Sequence, residues 1–269
     1  MSVTLHYRKS GHGEPVVILH GLYGSSDNWS TIGRALEARF TVFIPDLRNH
    51  GSSPHAPSHT YQDLVDDLHQ FFVDHHLSRA IILGHSMGGK AAMMFAAEYP
   101  ELIKGLVIAD IAPKSYYLID RPFTAVLQHE IILGLMENLN LTTVHSRKEI
   151  DHYLSEKLKD STLRQFLIKN IHRTKENHFE WKINVPVLKK ALITISSGMS
   201  SDWFDDRRPI LQYPVTFIRG LQSDYITNDD IPMIKGIYPD ARIIDISDAG
   251  HWLHAEQPEK FIEVLKSVI

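Results

Sequence analysis

The chain has no cysteine. That absence excludes disulfide frameworks, thiolate zinc sites, iron–sulfur clusters and cysteine nucleophiles at once, so any nucleophile belongs to another residue type. Long apolar runs are missing too: nothing approaches the roughly 18 residues that a membrane span needs, and Met1 to Ser10 holds no secretory-type apolar stretch. A cytoplasmic protein without a membrane span is the expectation. Charge of one sign is also lacking. With 28 Lys plus Arg against 32 Asp plus Glu, the formal charge of -4 gives no global pull toward nucleic acid or anionic lipid. No P-loop, no G-x-G-x-x-G run placed for a dinucleotide and no H-E-x-x-H zinc pattern is present. The groups His50, His55 and His59, and His251 with His254, invite a metal reading, but without such a pattern neither a metal nor a cofactor is expected.

What remains is a globular composition, 43% hydrophobic and 22% charged over 269 residues, enough for one large domain or two small ones. Short β-branched runs alternate with helical patterns, which predicts an α/β fold: a mostly parallel sheet flanked by helices. Val3 to Lys9 alternates, meets the turn signal Ser10-Gly11-His12-Gly13 and leads into Val16 to Leu19, so these two runs are expected to form a hairpin. Phe40 to Pro45, Ala80 to Leu83, Gly105 to Ala109, Val215 to Arg219 and Ala241 to Ile246 are near-continuously apolar, as strands buried on both faces must be. Asn28 to Arg39, Tyr61 to His76 and Gly88 to Tyr99 read as helices, and Pro258 opens the last one. From about residue 116 to 208 the alternation stops and the pattern is helical throughout. That length is too great for an ordinary connection. It predicts a core of residues 1–115 and 209–269 with a helical cap, 116–208, inserted between two core strands.

Gly84-His85-Ser86-Met87-Gly88 follows a predicted strand and opens a predicted helix, the context in which G-x-S-x-G marks a nucleophile on a strained turn. Ser86 is then the candidate nucleophile. The helix behind it turns its free N–H groups and positive dipole end toward a developing oxyanion. His20-Gly21-Leu22-Tyr23-Gly24 follows the Val16 to Leu19 run, and its glycines let backbone N–H groups face a ligand. The N–H groups of Leu22 and Met87 would form a two-donor oxyanion hole, each donor contributing on the order of 3 kcal/mol to the transition state.

A serine hydroxyl needs a base, and histidine has a suitable pKa. Among 17 histidines, His251 follows the last predicted strand and precedes the last helix, which places it at the carboxyl edge with Ser86. The acid that orients it has two candidates. Asp224, after the Val215 to Arg219 run, gives the chain order Ser, Asp, His and is preferred. Asp110, ending the Gly105 to Ala109 run one strand earlier, is the alternative.

With these residues in place the chain resembles the α/β-hydrolase family over its whole length, and within it the YbfF-type esterases. The similar segments are His20 to Gly24, Asp46-Leu47-Arg48-Asn49-His50-Gly51, Gly84 to Gly89, Asp110-Ile111-Ala112-Pro113, Phe179-Glu180-Trp181-Lys182-Ile183-Asn184 and Gly250 to His254. The resemblance implies serine esterase or thioesterase chemistry on acyl esters or acyl-CoA, without a cofactor. It also implies Asp110 as the acid, because the position matching Asp224 is not acidic in the YbfF-type members. This chain carries both aspartates, and the position of Asp224 is used by many other hydrolases of the fold.

The expected function is therefore cleavage of short- to medium-chain carboxylic or thio esters through an acyl-serine. The same residues are compatible with a carbon–carbon hydrolase, a cofactor-free lyase or a receptor-like binding protein. Residues 141–190 hold 11 Lys plus Arg against six Asp plus Glu, either to steer an anionic acyl carrier or as a solvated surface. Leu118, Phe123, Leu133, Met136, Trp181, Trp203 and Phe204 are candidates for an acyl pocket or for cap core.

Overall fold

The apolar runs pair into one seven-stranded sheet in the computed structural model, which describes residues 1–117, 124–199 and 201–269. In chain order the strands are β1 (Tyr7–Gly11), β2 (Glu14–Leu19), β3 (Phe40–Pro45), β4 (Ala80–His85), β5 (Ile103–Ala109), β6 (Ile171–Arg173), β7 (Phe179–Trp181), β8 (Val215–Gly220) and β9 (Arg242–Ile246). The sheet order is β1-β3-β2-β4-β5-β8-β9, antiparallel between β1 and β3 and parallel elsewhere. The expected hairpin of the first two strands does not form, because β3 lies between them. Val16 to Leu19 are buried on both faces and take a parallel partner on each side, whereas β1 is half-exposed and suits the rim.

The helices are α1 (Ser30–Leu36), α2 (Tyr61–Asp74), α3 (Met87–Glu98), α4 (Thr124–Asn138), α5 (Arg147–Ser155), α6 (Ser161–Ile168), α7 (Val185–Ser197), α8 (Ile231–Ile237), α9 (Leu253–Glu256) and α10 (Pro258–Val268). Strand alternation sorts the core into two layers. Val16 and Ile18 of β2 pack with Ile32 and Leu36 of α1 and Phe261 and Leu265 of α10, whereas Val17 and Leu19 join Leu64 and Leu68 of α2 and Phe95 of α3. Helix α2 begins where Thr60 Oγ1 accepts from Asp63 N–H and the Asp63 carboxylate accepts from Thr60 N–H. Among the described residues no helix is long and apolar enough to cross a membrane.

Between β5 and β8 run α4 to α7, together with an antiparallel hairpin of β6 and β7 that a wholly helical reading of 116–208 missed. The local reason is Phe179-Glu180-Trp181, which alternates buried, exposed and half-buried, after Asn177 in the left-handed region at φ 68°. This segment is tied to the sheet side by asparagines. Asn184 donates from its backbone N–H to Asn49 O and from Nδ2 to Asn49 Oδ1, both at 3.0 Å, and Asn170 Nδ2 donates to Tyr23 O at 2.8 Å.

The loop after β3 carries the Asp46 to Gly51 run, and its side chains are structural. Asp46 accepts from the N–H groups of Ser26 and Ser52. Arg48, 1% exposed, donates to both carboxylate oxygens of the fully buried Asp67 at 2.6 and 2.7 Å and pairs with Asp63 at 2.7 Å. The pair joins this loop to α2. Replacing Arg48 by Met strands the Asp67 carboxylate, and urea denaturation should show a loss of about 3–5 kcal/mol.

Candidate active site

Ser86 is the single residue between β4 and α3, at φ 53° and ψ -121°, a conformation that L-residues rarely hold. The surroundings enforce it: Ser86 N–H donates to Ala109 O at 3.1 Å and Lys90 N–H donates to Ser86 O at 3.1 Å. A Cβ on Gly88 would stand 2.5 Å from the carbonyl oxygens of Leu19 and His20, so only glycine lets α3 start this close to β2. Likewise a Cβ on Gly21 would stand 2.8 Å from His85 Nδ1 and 3.1 Å from Ser86 Cβ. The loop after β2 therefore runs directly beside Ser86. Leu22 and Met87 line the cavity next to it, and their N–H groups find no acceptor among the described residues.

His251 sits between β9 and α9, and the loop is held from both sides. Glu256 accepts from the N–H groups of Gly250 and Trp252 at 2.5 and 3.2 Å, and His85 Nε2 donates to His251 O at 2.8 Å. The Tyr225 ring stacks on the imidazole, 3.7 Å between centroids and 14° between planes. Nε2 of His251 lies 2.9 Å from Ser86 Oγ and Nδ1 lies 2.9 Å from Asp110 Oδ2.

The partner of Nδ1 is thus Asp110, and the preference for Asp224 is corrected. Asp110, directly after β5 at φ 49° and fully buried, turns its carboxylate toward the histidine loop. Asp224 is exposed. The loop after β8 does reach the site, but through Gly220 N–H, which donates to Asp110 Oδ1 at 3.1 Å, and through Ser223 Oγ, which donates to Asp110 Oδ2. Burial raises the Asp110 carboxyl, against the hydrogen bonds from Ser223 and Gly220, and burial lowers the His251 ring. The imidazole is therefore held as a neutral base, with Nδ1–H donating to the carboxylate.

Ser223, Glu256, Tyr225 and Lys90 escaped the sequence reading. Only Ser223, next to the suspected Asp224, carried a usable signal. Of the first suspected histidine group, His50 braces a loop, its Nε2 accepting from Tyr23 N–H at 3.3 Å, and nearby His20 does the same, its Nε2 accepting from Leu47 N–H at 2.9 Å. His55 donates to Lys182 O at 3.2 Å, and His59 lies 3.3 Å from the Met87 sulfur. Burial lowers the His20, His50 and His59 rings, so all three are neutral struts.

Two cavities flank the Ser86–His251 pair. The smaller is lined by Leu22, Tyr61, Ser86, Met87, Lys90, Ile111, Tyr116, Val126, His129, Ile195, Ser196 and Tyr225. The larger lies on the His251 side with Phe166, Lys169, Trp252, Asp160, Asp248 and Glu256. Its charges are mixed, so the positive balance of residues 141–190 is not gathered there. The described candidates for an acyl pocket are elsewhere: Leu133, Met136 and Phe204 are core, Trp181 Nε1 donates to Met136 O, and Trp203 is half-buried against Phe204. Leu118 and Phe123 lie outside the described residues.

The α/β-hydrolase fold family model matches residues 14–258, and the chain belongs to that family. It is 34% identical over 254 residues to the sn-1-specific diacylglycerol lipase ABHD11 of Danio rerio, covering 94% of this chain and 77% of the relative. It is 32% identical over 259 residues to esterase YbfF of Escherichia coli, covering 95% and 92%. A solved structure titled marine microorganism esterase superposes with a TM-score of 0.93 at 43% identity, over 100% of both chains. Within the family the chain is a hydrolase of the carboxylesterase type.

The two aspartates separate in a direct measurement. Asp110→Asn should lower kcat on the order of 10⁴-fold by removing the charge that fixes the imidazole tautomer. Asp224→Asn should stay within about threefold of the unsubstituted enzyme, as exposed substitutions do.

Proposed function

We propose that the protein is a serine esterase that cleaves carboxylic or thio esters by acyl transfer to water. The hydrogen-bonded line Ser86–His251–Asp110, 2.9 Å at each step, carries this reading. Ser86 Oγ attacks the ester carbonyl while His251 Nε2 takes its proton, and Asp110 holds the ring and stabilises the imidazolium. The N–H groups of Leu22 and Met87 receive the oxyanion. Collapse of the tetrahedral intermediate expels the alcohol or thiol, protonated by His251, and leaves acyl-Ser86. Water then attacks with His251 again as base.

This chemistry assigns the cavities. The leaving group must touch His251 to receive a proton, so it occupies the larger cavity beside that ring. The acyl group points the other way, into the smaller cavity behind Ser86 and the oxyanion donors. This is the narrower of the two cavities, which favours short acyl chains over long ones. Residues 116–208 act as the cap over the core of 1–115 and 209–269; Tyr116, Val126, His129, Ile195 and Ser196 all line the acyl cavity.

Ser86→Ala should abolish covalent labelling by a fluorophosphonate and leave only residual turnover of p-nitrophenyl butyrate. Undiminished labelling of that variant would overturn the assignment. Across p-nitrophenyl esters, kcat/KM should peak at short acyl lengths and fall for long ones.

A further inference from the structure

One buried group in the acyl cavity has no part in ester cleavage. Lys90 is 1% exposed, stands in the first turn of α3 and lines the same cavity as Ser86, the residue that precedes that helix. Among the described residues its ammonium has no carboxylate partner. Nζ faces the carbonyls of Ser196 and Ser197 at 3.4 and 3.3 Å, and the Tyr116 ring at 4.9 Å. Both hydrogen bonds are at the long limit for N–H···O. The neighbouring Lys114 is by contrast fully engaged, holding both oxygens of Asp230 at 2.7 Å. Gly198 leaves the room: any Cβ there would collide with Lys90 Nζ.

A lone buried cation is costly to keep. Burial, with the nearby Lys114 charge, pushes the Lys90 ammonium down to about 7, and an anion seated against it would restore the charged form. The rest of the cavity makes a place for such an anion. Leu22, Met87, Ile111 and Val126 give an apolar sleeve leading from Ser86, Ser196 lies in the same wall as Lys90, and His129 Nδ1 is buried there without a partner. Helical side chains lean toward the helix N-terminus, so Lys90 leans toward the end of α3 that Ser86 precedes, and both residues line one cavity. A chain of a few carbons is the acyl group this arrangement suits.

We propose that this pocket selects acyl groups ending in an anion, so that the substrate is a half-ester of a short dicarboxylic acid whose distal carboxylate seats against Lys90 Nζ. The proposal rests on the reading of Ser86 as nucleophile. Water supplies the new carboxyl oxygen, so monoethyl glutarate yields glutarate and ethanol, and the free carboxylate is unchanged throughout.

The test compares monoethyl glutarate with ethyl pentanoate, in the unsubstituted enzyme and in Lys90→Met. The unsubstituted enzyme should favour the half-ester in kcat/KM by roughly 30-fold, as a charge-assisted hydrogen bond provides. Lys90→Met should bring that ratio to one or below. Glutarate should also inhibit the unsubstituted enzyme more strongly than pentanoate does, a measurement that decides the matter even if the variant does not fold. A ratio of one or less in the unsubstituted enzyme, with ethyl pentanoate turned over through Ser86, overturns the Lys90 proposal alone. Equal losses on both esters in Lys90→Met overturn it as well and make Lys90 a strut between α3 and the end of α7. No Ser86-dependent turnover of any ester overturns the underlying reading instead.

Discussion

Helix α3 can leave β4 only because nothing larger than hydrogen stands at Gly88, where a Cβ would press within 2.5 Å of two carbonyl oxygens of the neighbouring strand end. That close crossing forces Ser86 into a left-handed turn, lifts its hydroxyl clear of the sheet and leaves the Met87 N–H free at the start of the helix. The loop after β2 then has to pass at contact distance, which its own Gly21 permits. Ser86 and the free N–H groups of Leu22 and Met87 are thus placed by backbone sterics, before any side-chain chemistry is considered. The strain at Ser86 is carried by a sheet whose strands β4 and β5 are buried almost along their whole length.

The histidine and its carboxylate are placed by a different means. They sit on loops after β9 and β5, where no regular element fixes a side chain, so hydrogen bonds do the work: Glu256 and His85 for the His251 backbone, Gly220 and Ser223 for Asp110. Four strand ends that are distant in sequence converge here because β4, β5, β8 and β9 are consecutive in the sheet. Burial holds the His251 ring in its neutral form, while the bonds from Ser223 and Gly220 work against burial to keep a charge on Asp110.

Much of this was legible in the residue pattern. The buried parallel strands announce themselves by apolar runs, and the span Phe40–Pro45 is the same in sequence and structure. The strand–turn–helix context of Ser86 is equally local, as is the position of His251 between the last strand and the last helices. Where the reading went astray, the missing information was non-local. The first two strands looked like a hairpin because nothing in Val3 to Leu19 reveals that Phe40–Pro45 inserts between them. Asp110 and Asp224 both follow an apolar strand run, and only the backbone turn at Asp110 and the intrusion of Ser223 separate them. The acyl cavity is lined from α2, α3, α4, α7 and four loops, so no stretch of sequence outlines it. Nothing in the alanine-rich run of α3 sets Lys90 apart as a buried cation.

The bonds from Asn170 to Tyr23 O and from Asn184 to Asn49 give the inserted segment a second duty. Tyr23 is the residue next to Leu22, and its N–H is already spoken for by His50. Excising the inserted helices to open the cleft for bulkier esters would strip a buried carbonyl of its donor and slacken the turn that aims the Leu22 N–H. The width of the cleft and the rigidity of the turn at Leu22 are therefore coupled in this chain. An engineer wanting a wider mouth would do better to shave side chains from α4 or α6 than to shorten the insertion.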